Sequence, residues 1–160
     1  MSETIIETLM QPACYPHPTQ VIQCIESDLS WVLLTGESAY KIKKPIDLYF
    51  LDASTLQARE SLCRAEYILN KRTYPELYEG VVAIRTTETG LSVGGETGEI
   101  VEYAVKMRQF DPQSTLDCVH DREGLSHDEL ERLCQAVFAL HSSAPVSGIE
   151  TPFGEPNSLY

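Results

Sequence analysis

The stretch SAYKIKKPIDLYFLDASTLQARESLCRAEYILNKRTY (residues 38–74) contains the two elements that decide the predicted fold. Its first part alternates in polarity with a period of two, which is typical of a half-buried β-strand. The period then changes to 3.6, and Ser54 and Gln57 have the spacing of a capping box. A proline follows Tyr74, so a helix is predicted to end near that residue. The stretch therefore predicts a strand followed by a long helix.

Three lysines lie within four positions of this strand, although the chain as a whole is acidic. On a strand, Lys41 and Lys43 share one face, while Lys44 precedes Pro45 and is expected to leave the ladder. Lysines on an edge strand are a common structural feature, because they discourage strand-to-strand aggregation. Taken alone, the strand favours this structural reading over a site for an anionic ligand.

Glu66, on the following helix, makes a functional role for these lysines more favoured. The helix face that contains it consists of Leu62, Cys63, Glu66, Leu69 and Asn70. A carboxylate in the middle of such a face must be paired, because burying it unpaired carries a large desolvation cost. We therefore predict an ion pair between Glu66 and a lysine of the neighbouring strand, which links the helix to that strand. A purely structural salt bridge is the alternative.

The remaining patterns predict an α+β fold with an antiparallel sheet. A short helix over residues 2–10 precedes three strands that are joined by hairpin-length connections. Two more strands follow the long helix, over residues 80–95 and 98–110, and the first of them contains an internal turn at Thr89 and Gly90. Five strands are therefore expected, and hairpins dominate the connections, which favours α+β over alternating βαβ units.

Changes in composition predict the domain organisation. Residues 1–110 form the part that contains the sheet, residues 111–124 form a polar and irregular connector, and residues 125–160 begin a helical part. A capping box at Ser126 and Glu129 opens a helix over residues 126–141. Its apolar face consists of Leu130, Leu133, Val137 and Leu140.

That helix has few predicted packing partners, so we expect it to be loosely packed or to mediate self-association. The stretch from Val146 to Tyr160 has no period and is expected to be poorly ordered.

Composition also restricts partners and location. There are 12 Lys and Arg against 24 Asp and Glu, giving a net charge of −12, which argues against a general binder of nucleic acid or membrane surfaces. The sequence has no signal peptide and no long apolar run, so a cytoplasmic protein without a membrane span is expected. The five cysteines are scattered, and no Cys or His spacing predicts a metal site.

Six segments together resemble one protein family. They are YPHP, SWVLLTG, AYKIKKPIDLYFLDAST, CRAEYILNKR, PELYEGVVAI and EYAVKMRQFDP. They are similar to the aminoglycoside-phosphotransferase-like domain found at the front of bacterial proteins that end in a P-loop ATP-binding domain. The match runs through nearly the whole chain. It implies a protein-kinase-like N-terminal lobe, with a five-stranded antiparallel sheet and one long helix, followed by an incomplete helical C-terminal lobe.

The resemblance implies a site for ATP and Mg²⁺. AYK resembles the Ala-x-Lys of the third kinase strand, so Lys41 is expected to contact the nucleotide phosphates, with Lys43 as the fallback. Glu66 matches the glutamate that orients this lysine, so the predicted ion pair is that of Lys41 and Glu66. The segment VKMRQF matches the strand and hinge that bracket the adenine. The backbone expected to contact the base is that of Met107, Arg108, Gln109 and Phe110.

Two departures from the family pattern affect the expected chemistry. The turn in ESDLSW has no glycine, so a phosphate cradle is expected from Asp28 to Ser30, with the Ser30 hydroxyl contributing. No His-Gly-Asp segment and no P-loop motif occur, and the VHD at residues 119–121 comes too early. The chain therefore contains no expected catalytic residue.

The expected function is the ATP-binding half of a small-molecule phosphotransferase, inactive by itself. The missing carboxylates would lie in a C-terminal lobe, and such a lobe or a P-loop domain could be a separately encoded partner. A chain of this kind is expected to be a truncated or partial protein. The alternatives are a non-catalytic kinase-like scaffold that docks a partner, and an acidic domain in which the ion pair of Lys41 and Glu66 is only structural.

Overall fold

The computed structural model describes residues 2–146, and these form a mixed arrangement of helices and strands. Their contacts divide the chain into two units, with the division between Thr115 and Leu116. The predicted tail lies outside the described residues from residue 147 onward.

The first unit contains all the strands described. Its elements are α1 (Ser2–Leu9), a 3-10 turn (Pro12–Cys14), β1 (Gln23–Glu26), β2 (Ser30–Leu34), β3 (Ser38–Lys43), β4 (Asp47–Leu48), β5 (Leu51–Asp52), α2 (Leu56–Lys71), β6 (Tyr78–Thr87), β7 (Gly90–Val93), β8 (Ile100–Arg108) and a second 3-10 turn (Pro112–Ser114).

Six of these strands form one curled antiparallel sheet in the order β1-β2-β3-β8-β6-β7. The antiparallel α+β prediction is confirmed, but the count of five strands is wrong. The turn at Thr89 and Gly90 divides the predicted fourth strand into the hairpin of β6 and β7. Gly90 has a φ of 148°, which few other residues adopt. Strands β4 and β5 form a separate two-stranded hairpin.

The two faces of β3 have different surroundings. Tyr40 and Ile42 are buried on one face, in a hydrophobic core that also contains residues of α1 such as Leu9. Lys41 and Lys43 alternate with them and therefore lie on the opposite face, where both contact a residue of α2. Lys44 follows the last residue of β3, as predicted.

Helix α2 differs from the prediction at its start and along its buried face. Thr55, not Ser54, is the N-cap, and its hydroxyl accepts from the amide of Ala58 at 3.1 Å. Ser54 instead donates to Asp52 through its amide and its hydroxyl, which keeps it out of the helix. Leu69, predicted on the buried face, is 58% exposed, because the face that meets the sheet is centred nearer to Arg59 and Cys63.

The second unit contains α3 (Leu116–Glu123) and α4 (His127–Ser143). Helix α3 lies where an irregular connector was predicted, and its eight residues are too short to show a clear apolar period. Helix α4 begins with the predicted capping box, because Ser126 and Glu129 exchange hydrogen bonds at 2.8 and 3.3 Å. Over residues 2–146, no helix is both long enough and apolar enough to cross a membrane.

Candidate functional site

An ion-pair cluster joins β3 to α2. The ammonium of Lys41 donates to Oε1 of Glu66 at 2.9 Å, and the ammonium of Lys43 donates to Oε2 of the same carboxylate. The side chains of Lys41, Lys43 and Glu66 are 31%, 16% and 12% exposed. The predicted pair of Lys41 and Glu66 is therefore confirmed, and Lys43 is a second partner of Glu66.

The cluster has a net charge of one positive unit, because two ammonium groups share one carboxylate. Burial by itself would raise the pKa of Glu66. The hydrogen bonds from Lys43 and Lys41 outweigh that effect and hold the pKa of Glu66 below its usual value. Glu66 is thus ionised at neutral pH, and the remaining positive charge can attract an anion.

A cleft of about 410 Å³ lies beside Lys41. Its volume is in the range that small-molecule ligands occupy. Its walls are mostly apolar and come from the first three strands, from the start of β6 and the residue before it, from the end of β8 and from the segment after β8. They consist of Ile25, Val32, Leu34, Ala39, Lys41, Leu77, Tyr78, Met107, Arg108, Gln109, Phe110, Pro112 and Thr115. An apolar cleft with a cation in its wall suits a ligand with a flat apolar part and an anionic part.

The end of β8 and the segment after it form one side of this cleft, and the amides of Arg108 and Gln109 already have partners. The amide of Arg108 donates to the carbonyl of Leu77 at 2.9 Å. The backbone amide of Gln109 donates to the backbone carbonyl of Glu37 at 2.9 Å, and the side-chain oxygen of Gln109 accepts from the amide of Gly36 at 2.8 Å. Gln109 therefore fixes this segment to the turn between β2 and β3. Phe110 is the first residue beyond these two bonded amides.

The turn between β1 and β2 is closed by two serines, without a glycine. The amide of Ser27 donates to the carbonyl of Ser30 at 2.9 Å, and the amide of Ser30 donates back to the Ser27 hydroxyl at 3.2 Å. The two hydroxyl oxygens are 3.1 Å apart, and Ser30 is buried. The Ser30 hydroxyl thus belongs to the turn in this structure, so a phosphate would have to displace that contact to use it.

Lys44, the third lysine of the strand, points to different partners. Its ammonium lies 2.5 Å from Oε1 of Glu26 and 5.1 Å from the centre of the Trp31 ring. A cation above an aromatic ring is stabilised by the ring's negative face. Lys44 therefore has a structural role on β1 and β2 and does not belong to the cluster at Glu66.

A second ion pair on α2 is not predicted from the sequence. The guanidinium Nε of Arg59 donates to both carboxylate oxygens of Glu102 at 2.9 Å, and its Nη1 donates to the carbonyls of Ala53 and Ser54 at 3.0 Å. Arg59 lies about two helical turns before Glu66. The position of Arg59 on the same helix face as Glu66 indicates from the sequence that Arg59 needs a partner. The sequence does not indicate that this partner is Glu102, which lies 43 residues further along the chain.

His17 has a structural environment that the sequence does not reveal. Its Nε2 lies 3.0 Å from the hydroxyl of Tyr40, and the two rings are stacked with an angle of 6° between their planes. Tyr40 projects from the face of β3 opposite to Lys41, so His17 contacts the far side of the sheet and not the cleft.

Comparison with known proteins gives little functional information. The chain is 32% identical over 80 residues to uncharacterized proteins of Mycobacterium bovis and of two strains of Mycobacterium tuberculosis. The aligned region is 48% of this chain and 16% of each relative, so the chain matches only a small part of those proteins. No protein-family model matches the chain. No solved structure matches it either.

Proposed function

We propose that this chain is the nucleotide-binding half of a small-molecule phosphotransferase of the aminoglycoside-phosphotransferase-like kind, with a kinase-like N-terminal lobe. One observation carries the proposal: a strand lysine, paired with a helix glutamate, lines an apolar cleft that the segment after β8 borders. In protein kinases a lysine on the third strand contacts phosphates and pairs with a helix glutamate.

In this proposal the base lies against the apolar sheet face formed by Val32 of β2, Ala39 of β3 and Met107 of β8. The Phe110 backbone is the best placed to recognise the edge of the base, because the amides of Arg108 and Gln109 are already bonded. The phosphates extend towards Lys41. Mg²⁺ would enter bound to the triphosphate, since it usually binds through substrate phosphates. Among the side chains described, those of residues 4–146, no group of three or more His, Cys, Asp or Glu could hold a metal ion.

Phosphoryl transfer also needs carboxylates that position the acceptor hydroxyl and the metal ions. The sequence has no His-Gly-Asp segment, so we propose that a C-terminal lobe supplies them, in the same protein or in a partner that carries the P-loop domain. The acceptor would bind to that lobe. A cytoplasmic location, where ATP is available, is part of the same proposal.

Titration of the 160-residue chain with MgATP, followed by calorimetry, tests nucleotide binding. We expect a dissociation constant of about 1 mM or tighter. Lys41→Met should weaken binding about tenfold or more, because it removes the lysine that lines the cleft and pairs with Glu66. Lys106→Met is the matched control. Lys106 is 30% exposed, pairs with Glu79 at 2.7 Å, and lies on the opposite face of the sheet from Lys41.

The proposal fails if the wild-type chain does not bind MgATP at about 10 mM, a concentration well above the expected dissociation constant. It also fails if the Lys41 and Lys106 variants bind equally well. Either result would leave the ion pair of Lys41 and Glu66 as a structural link between α2 and the sheet.

A second candidate is a kinase-like scaffold that acts by self-association or by docking a partner, without nucleotide. Helix α4 favours it, because Leu130, Leu133, Val137 and Phe138 are all exposed. Exposed apolar patches commonly mark interfaces. Sedimentation of the wild-type chain and of a Leu133→Glu variant distinguishes the two candidates. Oligomers that dissociate in the variant, together with an absence of MgATP binding, would favour the scaffold.

A further inference from the structure

Glu66 has two lysine partners, although the proposed nucleotide site needs only one. Lys41 is bonded to Oε1 and Lys43 to Oε2, so each oxygen of the carboxylate has its own ammonium. The two lysines are two positions apart on β3 and lie on the same face. The structure therefore raises the question of what the second lysine does.

The two lysines differ in their access to the cleft. Lys41 lines it, and its side chain is 31% exposed. Lys43 does not line the cleft, is 16% exposed, and stands opposite Ser30 in the register of β2 and β3. A ligand in the cleft can thus reach Lys41 directly, whereas Lys43 is more enclosed and further along the strand.

We propose that Lys43 is the resident partner of Glu66 and that Lys41 is the exchangeable one. The proposal rests on the proposed function, because it assigns roles within the same nucleotide site. When Lys41 turns towards a phosphate group, Lys43 keeps the half-buried carboxylate paired. Without Lys43, the same movement would leave Glu66 unpaired, which is unfavourable in a partly desolvated position. Lys43 is therefore a positioning residue that acts on the ligand through Glu66.

A double-mutant cycle on the full 160-residue chain tests this indirect role. MgATP is titrated into the wild type, Lys43→Met, Glu66→Gln and the double variant. With Glu66 present, Lys43→Met should weaken binding about tenfold, since Lys41 is then held by the carboxylate. In the Glu66→Gln background, the same change should weaken binding by less than about twofold, because there is no longer a carboxylate to satisfy.

Two further variants keep the test independent of folding. Lys43→Arg preserves the positive charge and should bind within about threefold of the wild type. Lys44→Met removes the neighbouring lysine, which pairs with Glu26, and should leave the affinity unchanged. Urea unfolding of each variant, monitored by circular dichroism, confirms that the compared chains are folded.

Two outcomes overturn the inference alone. An equal loss of affinity in both backgrounds would mean that Lys43 contacts the phosphates directly. Unchanged affinity in Lys43→Met, with a wild type that binds, would mean that Lys43 only stabilises the fold. A wild-type chain that does not bind MgATP would overturn the proposed function and this inference with it, so the two failures are distinguishable.

Discussion

Helix α2 is attached to the sheet by two ion-pair clusters that differ in balance and in exposure. At its start, Arg59 meets Glu102 one to one, with side chains only 9% and 2% exposed. Two helical turns later, Glu66 meets two lysines, and the side chain of Lys41 is 31% exposed and lines a cleft. The first cluster is closed and neutral, whereas the second is open and carries an excess positive charge.

The comparison indicates how a structural pair differs from a candidate binding site. The Arg59 guanidinium donates hydrogen bonds within the protein, to Glu102 and to the carbonyls of Ala53 and Ser54. The pair therefore has little capacity left for a ligand. At Glu66 the cations outnumber the carboxylate, so an anion can bind without leaving a buried charge unpaired.

The largest expected effect is on the closed pair. Glu102→Ala should lower the free energy of unfolding by about 3–5 kcal/mol, because it leaves the Arg59 guanidinium buried without its carboxylate. Glu79→Ala removes the partner of Lys106 in a more exposed pair, and should cost about 1 kcal/mol or less. Urea denaturation measures both. If the Glu102 variant lost no more stability than the Glu79 variant, the closed pair would not anchor the helix.

The open cluster should contribute less to stability. Glu66→Ala is expected to cost about 2 kcal/mol, since Lys41 is partly exposed and can be solvated once the carboxylate is removed. The same denaturation series ranks it between Glu102→Ala and Glu79→Ala. A cost equal to that of Glu102→Ala would instead show that the cluster at Glu66 is mainly a structural link.

A change within the cleft should affect binding more than stability. Ala39 is buried in β3 and contributes to the cleft wall. Ala39→Leu places a larger side chain where the base is proposed to bind, and should weaken MgATP binding about tenfold, which is about 1.4 kcal/mol. Ala39→Ser, a smaller change at the same position, should bind nearly as the wild type does. Equal binding by the wild type and the leucine variant would exclude this part of the cleft as the base site.

The smallest expected effect is a change in the free energy of unfolding with pH. The pKa of Glu66 is lower in the folded chain than in the unfolded one, because the hydrogen bonds from Lys43 and Lys41 outweigh burial. Its ionised form therefore favours folding above the unfolded pKa of about 4.3, and this contribution is lost as the pH falls through the folded value. The stability difference between wild type and Glu66→Gln should shrink between about pH 6 and pH 3. A difference that stays constant over this range would contradict the ion pair.

The parts of the fold that the sequence predicts correctly depend on patterns within single elements. The alternation along β3 and the position of Glu66 on α2 are both readable locally, and a buried carboxylate requires a nearby cation. These patterns predict an ion pair between Glu66 and a lysine of β3, whereas the choice of Lys41 comes from the family resemblance. Spacing alone does not show whether Ser54 or Thr55 is the N-cap of α2. In the structure Ser54 is bonded to Asp52, and Thr55 caps the helix instead.

The features that were missed depend on the tertiary structure. The partner of Arg59 is 43 residues away in the chain, and that of His17 is 23 residues away. Only the folded sheet brings these side chains together. The sixth strand of the sheet has a different origin, because the predicted turn at Thr89 and Gly90 is tight enough for β7 to fold back and pair with β6.

Methyl NMR during a titration with MgATP is the most direct test of a nucleotide site in the cleft. The methyl groups that line the cleft and those in the hydrophobic core lie on opposite faces of the sheet, so their signals can be compared. If the nucleotide binds beside Lys41, the methyl signals of Val32, Leu34 and Met107, which line the cleft, should shift together. Those of Ile42 and Ile84, in the hydrophobic core, should shift little. Shifts confined to the core methyl groups, or no shifts up to about 10 mM MgATP, would contradict a nucleotide site in this cleft.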